Sequence, residues 1–153
     1  MNRKKYIYLI FMLAVMALIF YFSGQNADES GETSSAVLEW IVEHTAIKGN
    51  LPEFAETLIR KCAHFSIYFV LGISSALTVS EWKPRRRIFL WSWLIPVAYA
   101  CTDELHQYFV PGRSCEFRDV CIDSTGALLG VALVRFILWC FKRRREKNEK
   151  CCI

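Results

Sequence analysis

Residues 88–107 read Ile88-Phe89-Leu90-Trp91-Ser92-Trp93-Leu94-Ile95-Pro96-Val97-Ala98-Tyr99-Ala100-Cys101-Thr102-Asp103-Glu104-Leu105-His106-Gln107, an apolar run that ends in two carboxylates and an imidazole. If the run crosses a bilayer, that ending is costly. Ionisable side chains inside a span are rare, are usually paired, and mark a functional site by default. The reading of the whole chain turns on whether this is a membrane helix.

The chain of 153 residues has room for one domain, and 54% of it is apolar, above the roughly 45–50% of soluble domains. The excess is gathered in blocks. Tyr6–Phe22 is uncharged, and Ala63–Val79 is uncharged apart from His64. The run from Ile88 extends through its polar pentad to Phe109, and Ile122–Phe141 carries only Asp123 and Arg135. A helix needs roughly 20 residues to cross about 30 Å of hydrocarbon, and each block is near that length. The expectation is an all-α integral membrane protein, a four-helix transmembrane bundle in a single domain of residues 1–153. Its spans would cover about 6–22, 62–80, 88–108 and 122–141.

Lys and Arg set the orientation. Arg3, Lys4 and Lys5 precede the first span, Lys83, Arg85, Arg86 and Arg87 link the second to the third, and the basic tail 142–153 follows the fourth. The other side holds only Lys48, Arg60, Lys61, Arg113 and Arg118. The positive-inside rule then puts both termini in the cytoplasm, N-in and C-in. The net charge of +4 comes from these anchors and gives no sign of nucleic-acid binding. Residues 1–27 read as a retained helix rather than a signal peptide, because Ser23-Gly24-Gln25-Asn26-Ala27 is a poor cleavage site. Arg135 is expected to snorkel inward, and Trp82, Trp91, Trp93 and Trp139 to be interfacial anchors or lipid-facing bulk.

The outer segment 23–60 is acidic. Val37, Leu38, Ile41 and Val42 recur in it at helical spacing, which predicts a short amphipathic helix capped by Ser34 or Ser35 and closed by Lys48-Gly49. His44 on this helix reads as solvated surface. Asn50-Leu51-Pro52-Glu53 resembles a second helix start running into the second span. After the third span, Val110-Pro111-Gly112-Arg113 reads as a type II turn that aims Arg113 back at the helix it leaves. The seven cysteines show no metal-ligand pattern. Cys115 and Cys121 could pair in an oxidising milieu, and the terminal Cys151-Cys152-Ile153 is not a prenylation box.

Depths can then be compared. At about 1.5 Å per residue, Asp103 lies about 22 Å from the inner end of the third span and His64 about 22 Å from that of the second. Asp123 lies about 27 Å outward in the fourth, with Asp119 one turn beyond. Polar groups therefore converge at the level of the outer leaflet. Lys61, His64, Phe65 and Tyr68 share one helical face, and Tyr99, Asp103, His106 and Gln107 another. Such faces must look into the bundle or a wet cavity. Pro96 could kink the third span, and Gly126-x-x-x-Gly130 is a close-packing motif below Asp123. The bland alternative is a polar network that only fixes helix register.

Three motifs together resemble the VanZ-like family. They are Lys61-x-x-His64-Phe65-x-x-Tyr68-x-x-Leu71-Gly72, then Asp103-Glu104-x-His106-Gln107-x-Phe109-Val110-Pro111-Gly112-Arg113, then Asp119-x-x-x-Asp123-x-x-Gly126-x-x-x-Gly130. Ser23-x-Gln25 also fits. The resemblance implies a multi-pass protein of the bacterial cytoplasmic membrane and a link to resistance against teicoplanin-type glycopeptides, but no reaction.

The residues support three functions. In the first, an outward-facing site binds or modifies an envelope component, such as a lipid-linked precursor or a lipid head group. As an enzyme it would use His64 and His106 as general acid and base, with Asp103 or Glu104 orienting them. Lys61, Tyr68, Gln107, Arg113, Asp119 and Asp123 would bind substrate, Arg113 suiting bidentate contact with phosphate or carboxylate. No cofactor is expected. A divalent metal on His64, Asp103, His106 and Asp119 is conceivable, but no ligand spacing demands one. The second function is a small-solute or proton-linked transporter with Asp103, Glu104 and His106 as a relay; four helices are few for alternating access, and a homodimer could supply more. The third is a non-catalytic shield that meets the glycopeptide through its acidic outer segment. The expected partners are the lipid bilayer and one of these ligands, with no nucleic acid.

Overall fold

The computed structural model describes residues 3–44, 54–82 and 88–150. They form α1 (Arg3–Ser23), α2 (Ala27–His44), α3 (Phe54–Trp82), α4 (Ile88–Gln107) and α5 (Phe117–Lys150), with no strand among the described residues. Three of these helices, α1, α3 and α5, are long and apolar enough to cross a membrane. α4 is not among them, because the polar pentad at its end lowers its mean hydropathy.

α3 is the hub. It packs most extensively on α5 and also meets α1, α4 and α2. The α3–α5 seam is built from small residues. A Cβ placed on Gly130 would fall on the Phe69 backbone carbonyl, one on Gly72 would fall on the Ala127 backbone, and one on Gly126 would strike the Phe65 carbonyl. Small residues let backbones meet where lipid gives no hydrophobic drive to associate. The expected Gly126–Gly130 motif is thus the contact that sets the distance between the second and last long helices.

On the other side, Met12, Val15 and Ile19 of α1 recur at helical spacing and pack with Tyr68, Leu71 and Ala100. α1 and α5 carry exposed Ile10, Phe136 and Phe141, an apolar surface of the kind a membrane helix presents to lipid. The buried hydroxyls of Ser74, Thr78 and Ser92 bond backbone carbonyls of their own helices at 2.6–2.9 Å. α4 is tied sideways by two hydrogen bonds. Tyr99 Oη donates to the Met16 carbonyl of α1 at 2.7 Å, and Trp93 Nε1 donates to the Ser124 carbonyl of α5 at 3.1 Å. Trp93 is therefore an interhelical clasp rather than the interfacial anchor or lipid-facing bulk expected, whereas Trp82, Trp91 and Trp139 are exposed.

Some boundaries differ from the sequence reading. α2 starts at Ala27, seven residues before the expected Ser34 cap, because Asn26 and Glu29 form a reciprocal capping box. Glu29 N donates to Asn26 Oδ1 at 2.8 Å and Asn26 N to Glu29 Oε2 at 3.2 Å. Ser34 instead lies buried inside the helix, and Ser35 Oγ donates to Glu56 Oε1 of α3 at 2.8 Å. Exposed His44 stacks on Trp40. The Lys48-Gly49 stop and the Asn50 start fall outside the described residues. α5 begins five residues before the expected 122, so Asp119 lies in its first turn, and it continues through the basic tail to Lys150.

Candidate functional site

The N-terminal ends of α3 and α5 and the C-terminal end of α4 meet in a polar cleft of about 270 Å³. The turn after α4 closes its edge. Arg113 N donates to the Val110 carbonyl at 3.2 Å and Gly112 has φ 76°, the type II geometry that a Pro-Gly pair favours. Gly112 also meets the start of α2, where an added Cβ would stand 2.8 Å from Ala27 Cβ. The turn thus reverses the chain and aims Arg113 at α4, whose Gln107 Oε1 accepts from Arg113 Nη1 at 3.1 Å. Gln107 Nε2 in turn donates to Asp103 Oδ2 at 3.3 Å.

Three elements bring His64, Asp103 and Asp123 together, with one ligand-type atom of each within 4.8 Å of the others. The close α3–α5 seam explains why: Gly126 lies on the backbone of Phe65, next to His64 and about one turn below Asp123. Asp103, Glu104, Asp123 and Tyr68 are all at most 3% exposed. His64 Nδ1 stands 3.7 Å from Asp123 Oδ2, near enough to feel the charge but too far to hydrogen-bond. Neither Asp123 oxygen nor Asp103 Oδ1 has a hydrogen-bonding partner, and the buried Tyr68 hydroxyl is directed at Asp103 without closing a hydrogen bond of ordinary geometry.

The remaining expected residues take other places. Glu104 Oε2 accepts the backbone N–H of Glu116 at 3.0 Å. It thereby caps the N-terminus of α5, where the helix dipole favours a carboxylate. Lys61 is paired with Asp119 and lies 3.9 Å from Glu116 Oε2, so its charge is already met. His106 does not join His64. Its ring stacks on Phe20 of α1 with centroids 4.6 Å apart. Helical angles account for this: relative to Asp103, Tyr99 and His106 sit about 40–60° to one side and Gln107 about 40° to the other. One polar face becomes two, Tyr99 and His106 toward α1 and Gln107 toward Arg113.

Two cleft cations were not singled out from the sequence, Arg60 and Arg118. The adjacent Arg60-Lys61 pair was the available signal for the first. Burial and the neighbouring Arg60 push the Arg113 guanidinium down from its ordinary value, against the pull of Asp103 and Glu104. Its Nε has no partner. Beside the cleft runs a second, apolar groove of about 260 Å³ between α1, α2 and α3, lined by Ile19, Phe22, Val37 and Ile67. Cleft and groove share Arg60, His64 and Arg113.

A family model described as VanZ/LLP1 matches residues 8–139. No curated protein and no solved structure gives a match.

Proposed function

The chain belongs to the VanZ/LLP1 family, and on that premise we propose a multi-pass protein of the bacterial cytoplasmic membrane whose site binds an anionic envelope lipid from the outer side. The observation that carries this reading is the shared wall of the two cavities. A polar cleft edged by Arg60, Arg113 and Arg118 suits a phosphate-bearing head group, and the apolar groove under α2 suits its hydrocarbon chain. An amphiphile spanning both would lie across Arg60, His64 and Arg113. Lipid-linked cell-wall precursors have this chemistry, and altering their supply would account for a contribution to glycopeptide resistance.

In this reading α4 is the fourth crossing. Its clasps to α1 and α5 support that, since they tie it to helices apolar enough to span. The bias of Lys and Arg supports cytoplasmic termini and a cleft that opens outward. Transport is less well supported. Below the cleft, the buried side chains are apolar (Leu71, Ala76, Val131, Val134) or carry only hydroxyls (Ser74, Ser75, Thr78, Ser92), and among the described residues no buried ionisable group continues toward the other end.

The test is lipid binding by the full chain in detergent, measured by native mass spectrometry with a polyprenyl phosphate and the matching uncharged polyprenol. The wild type is expected to retain the phosphate in preference. Arg113→Gln should lose that preference by about tenfold, the loss of one charged hydrogen-bonding partner, and Ile67→Trp should weaken both lipids by filling the groove. Equal retention of phosphate and alcohol by the wild type would sink the reading.

A further inference from the structure

Asp103 and Asp123 are two carboxylates in contact range inside the helix bundle, 3% and 0% exposed. Buried charges need either a partner or a metal. Protein partners are few among the described residues. Asp103 has one weak amide contact from Gln107 at 3.3 Å, and Asp123 has no hydrogen bond. Lys61 is held by Asp119, and Arg113 donates to Gln107. A protonated His64 would cancel one negative charge and leave the other.

Independent observations point into the same space. Tyr68 is wholly buried with its hydroxyl directed at Asp103 but short of a hydrogen bond of ordinary geometry, and Glu104 keeps Oε1 unpartnered at 2% exposure. His64 Nδ1 makes no hydrogen bond and stands 3.7 Å from Asp123 Oδ2.

We propose that His64, Asp103 and Asp123 form a divalent-cation site at the floor of the cleft. Charge balances, since two carboxylates and a neutral imidazole around a doubly positive ion sum to zero, and the neighbouring Glu104 and Arg113 charges offset each other. Distances fit as well. Donors bound at about 2.0–2.2 Å to one ion stand about 3–4.4 Å from each other, which contains the 3.7 Å between His64 Nδ1 and Asp123 Oδ2. The full set, within 4.8 Å, needs only a small contraction. One imidazole with two carboxylates suits Zn²⁺ or Mn²⁺, whereas Ca²⁺ takes about six to eight oxygens. Glu104 Oε1 and the Tyr68 hydroxyl stand by as a further ligand or as hydrogen-bonding support. This donor set replaces the one conceivable from the sequence, because His106 turns to Phe20 and Asp119 to Lys61.

The test uses the full chain in detergent, stripped with EDTA and titrated with Zn²⁺ and with Mn²⁺, bound metal being read by elemental mass spectrometry. One ion per chain is expected, with a metal-dependent rise in Tm. Asp123→Asn and His64→Gln should each weaken binding by more than the roughly 10- to 100-fold that outer-shell changes cost, and should lose the rise. If either variant fails to fold, the wild-type titration still decides. A wild type that binds neither metal stoichiometrically overturns the site, as do folded variants that bind like the wild type. Arg113→Gln should keep the ion while losing lipid preference, so failure of the metal site and failure of the lipid reading are read separately.

Discussion

Asp123→Asn is expected to leave the chelator-treated protein at least as stable as the wild type, and more stable by about 1–3 kcal/mol, while abolishing metal binding and function. The sign is the informative part. Asp123 is fully buried, and neither oxygen accepts a hydrogen bond. An ionised group in that position carries a desolvation penalty that a neutral amide of the same shape largely avoids. If Asp123 were instead a structural counter-ion of His64, its loss would remove that pairing and cost about 1–3 kcal/mol. Thermal melting in EDTA, with and without added Zn²⁺, separates the two. Stabilisation without metal, together with loss of the metal response, is the signature of a carboxylate kept for a ligand. A destabilisation of that size in EDTA would return Asp123 to a purely structural role.

Gly130→Leu should abolish the folded bundle. Even a single Cβ there would fall on the Phe69 carbonyl, with the Ile73 amide nitrogen 3.0 Å away. Both are helix backbone, which cannot swing aside as a side chain can. The bulk must part α3 from α5, at about 3 kcal/mol or more, and separate His64 from Asp123 in doing so. Gly31→Ala in α2 is the matched control, since nothing lies within 4 Å of an added Cβ. It should gain roughly 0.5–1 kcal/mol from reduced backbone freedom in the unfolded chain. Membrane level and monodispersity in detergent check both variants. A well-folded Gly130→Leu protein would contradict the seam.

Much of this was legible because membrane physics acts on composition. The apolar blocks, the shared level of His64, Asp103 and Asp123, the Pro111-Gly112 turn and the small-residue seam all follow from runs and spacings in the chain. The start of α2 was misplaced for a definable reason. Apolar periodicity begins only at Val37, so Ser34 looked like the cap, while the Asn26-x-x-Glu29 box lay farther upstream in a polar stretch. The departure of His106 from the site was not legible, because offsets of three and four in a helix fall on opposite sides of a shared face, and only packing decides which neighbour each side meets. The pairing of Lys61 with Asp119 and the apolar groove under α2 depend on contacts between distant segments. No local pattern carries them.

Everything about the lipid reading depends on which side the cleft opens. Cys115 reports on this directly, being exposed between Ser114 and Glu116, which both line the cleft. Intact cells making the full chain would be treated with a membrane-impermeant maleimide, beside cells making Cys115→Ser. Labelling of intact wild-type cells that falls in the Cys115→Ser variant is the predicted result. Cys115-dependent labelling that appears only after the cells are opened would place the cleft in the cytoplasm and contradict an outward-facing site.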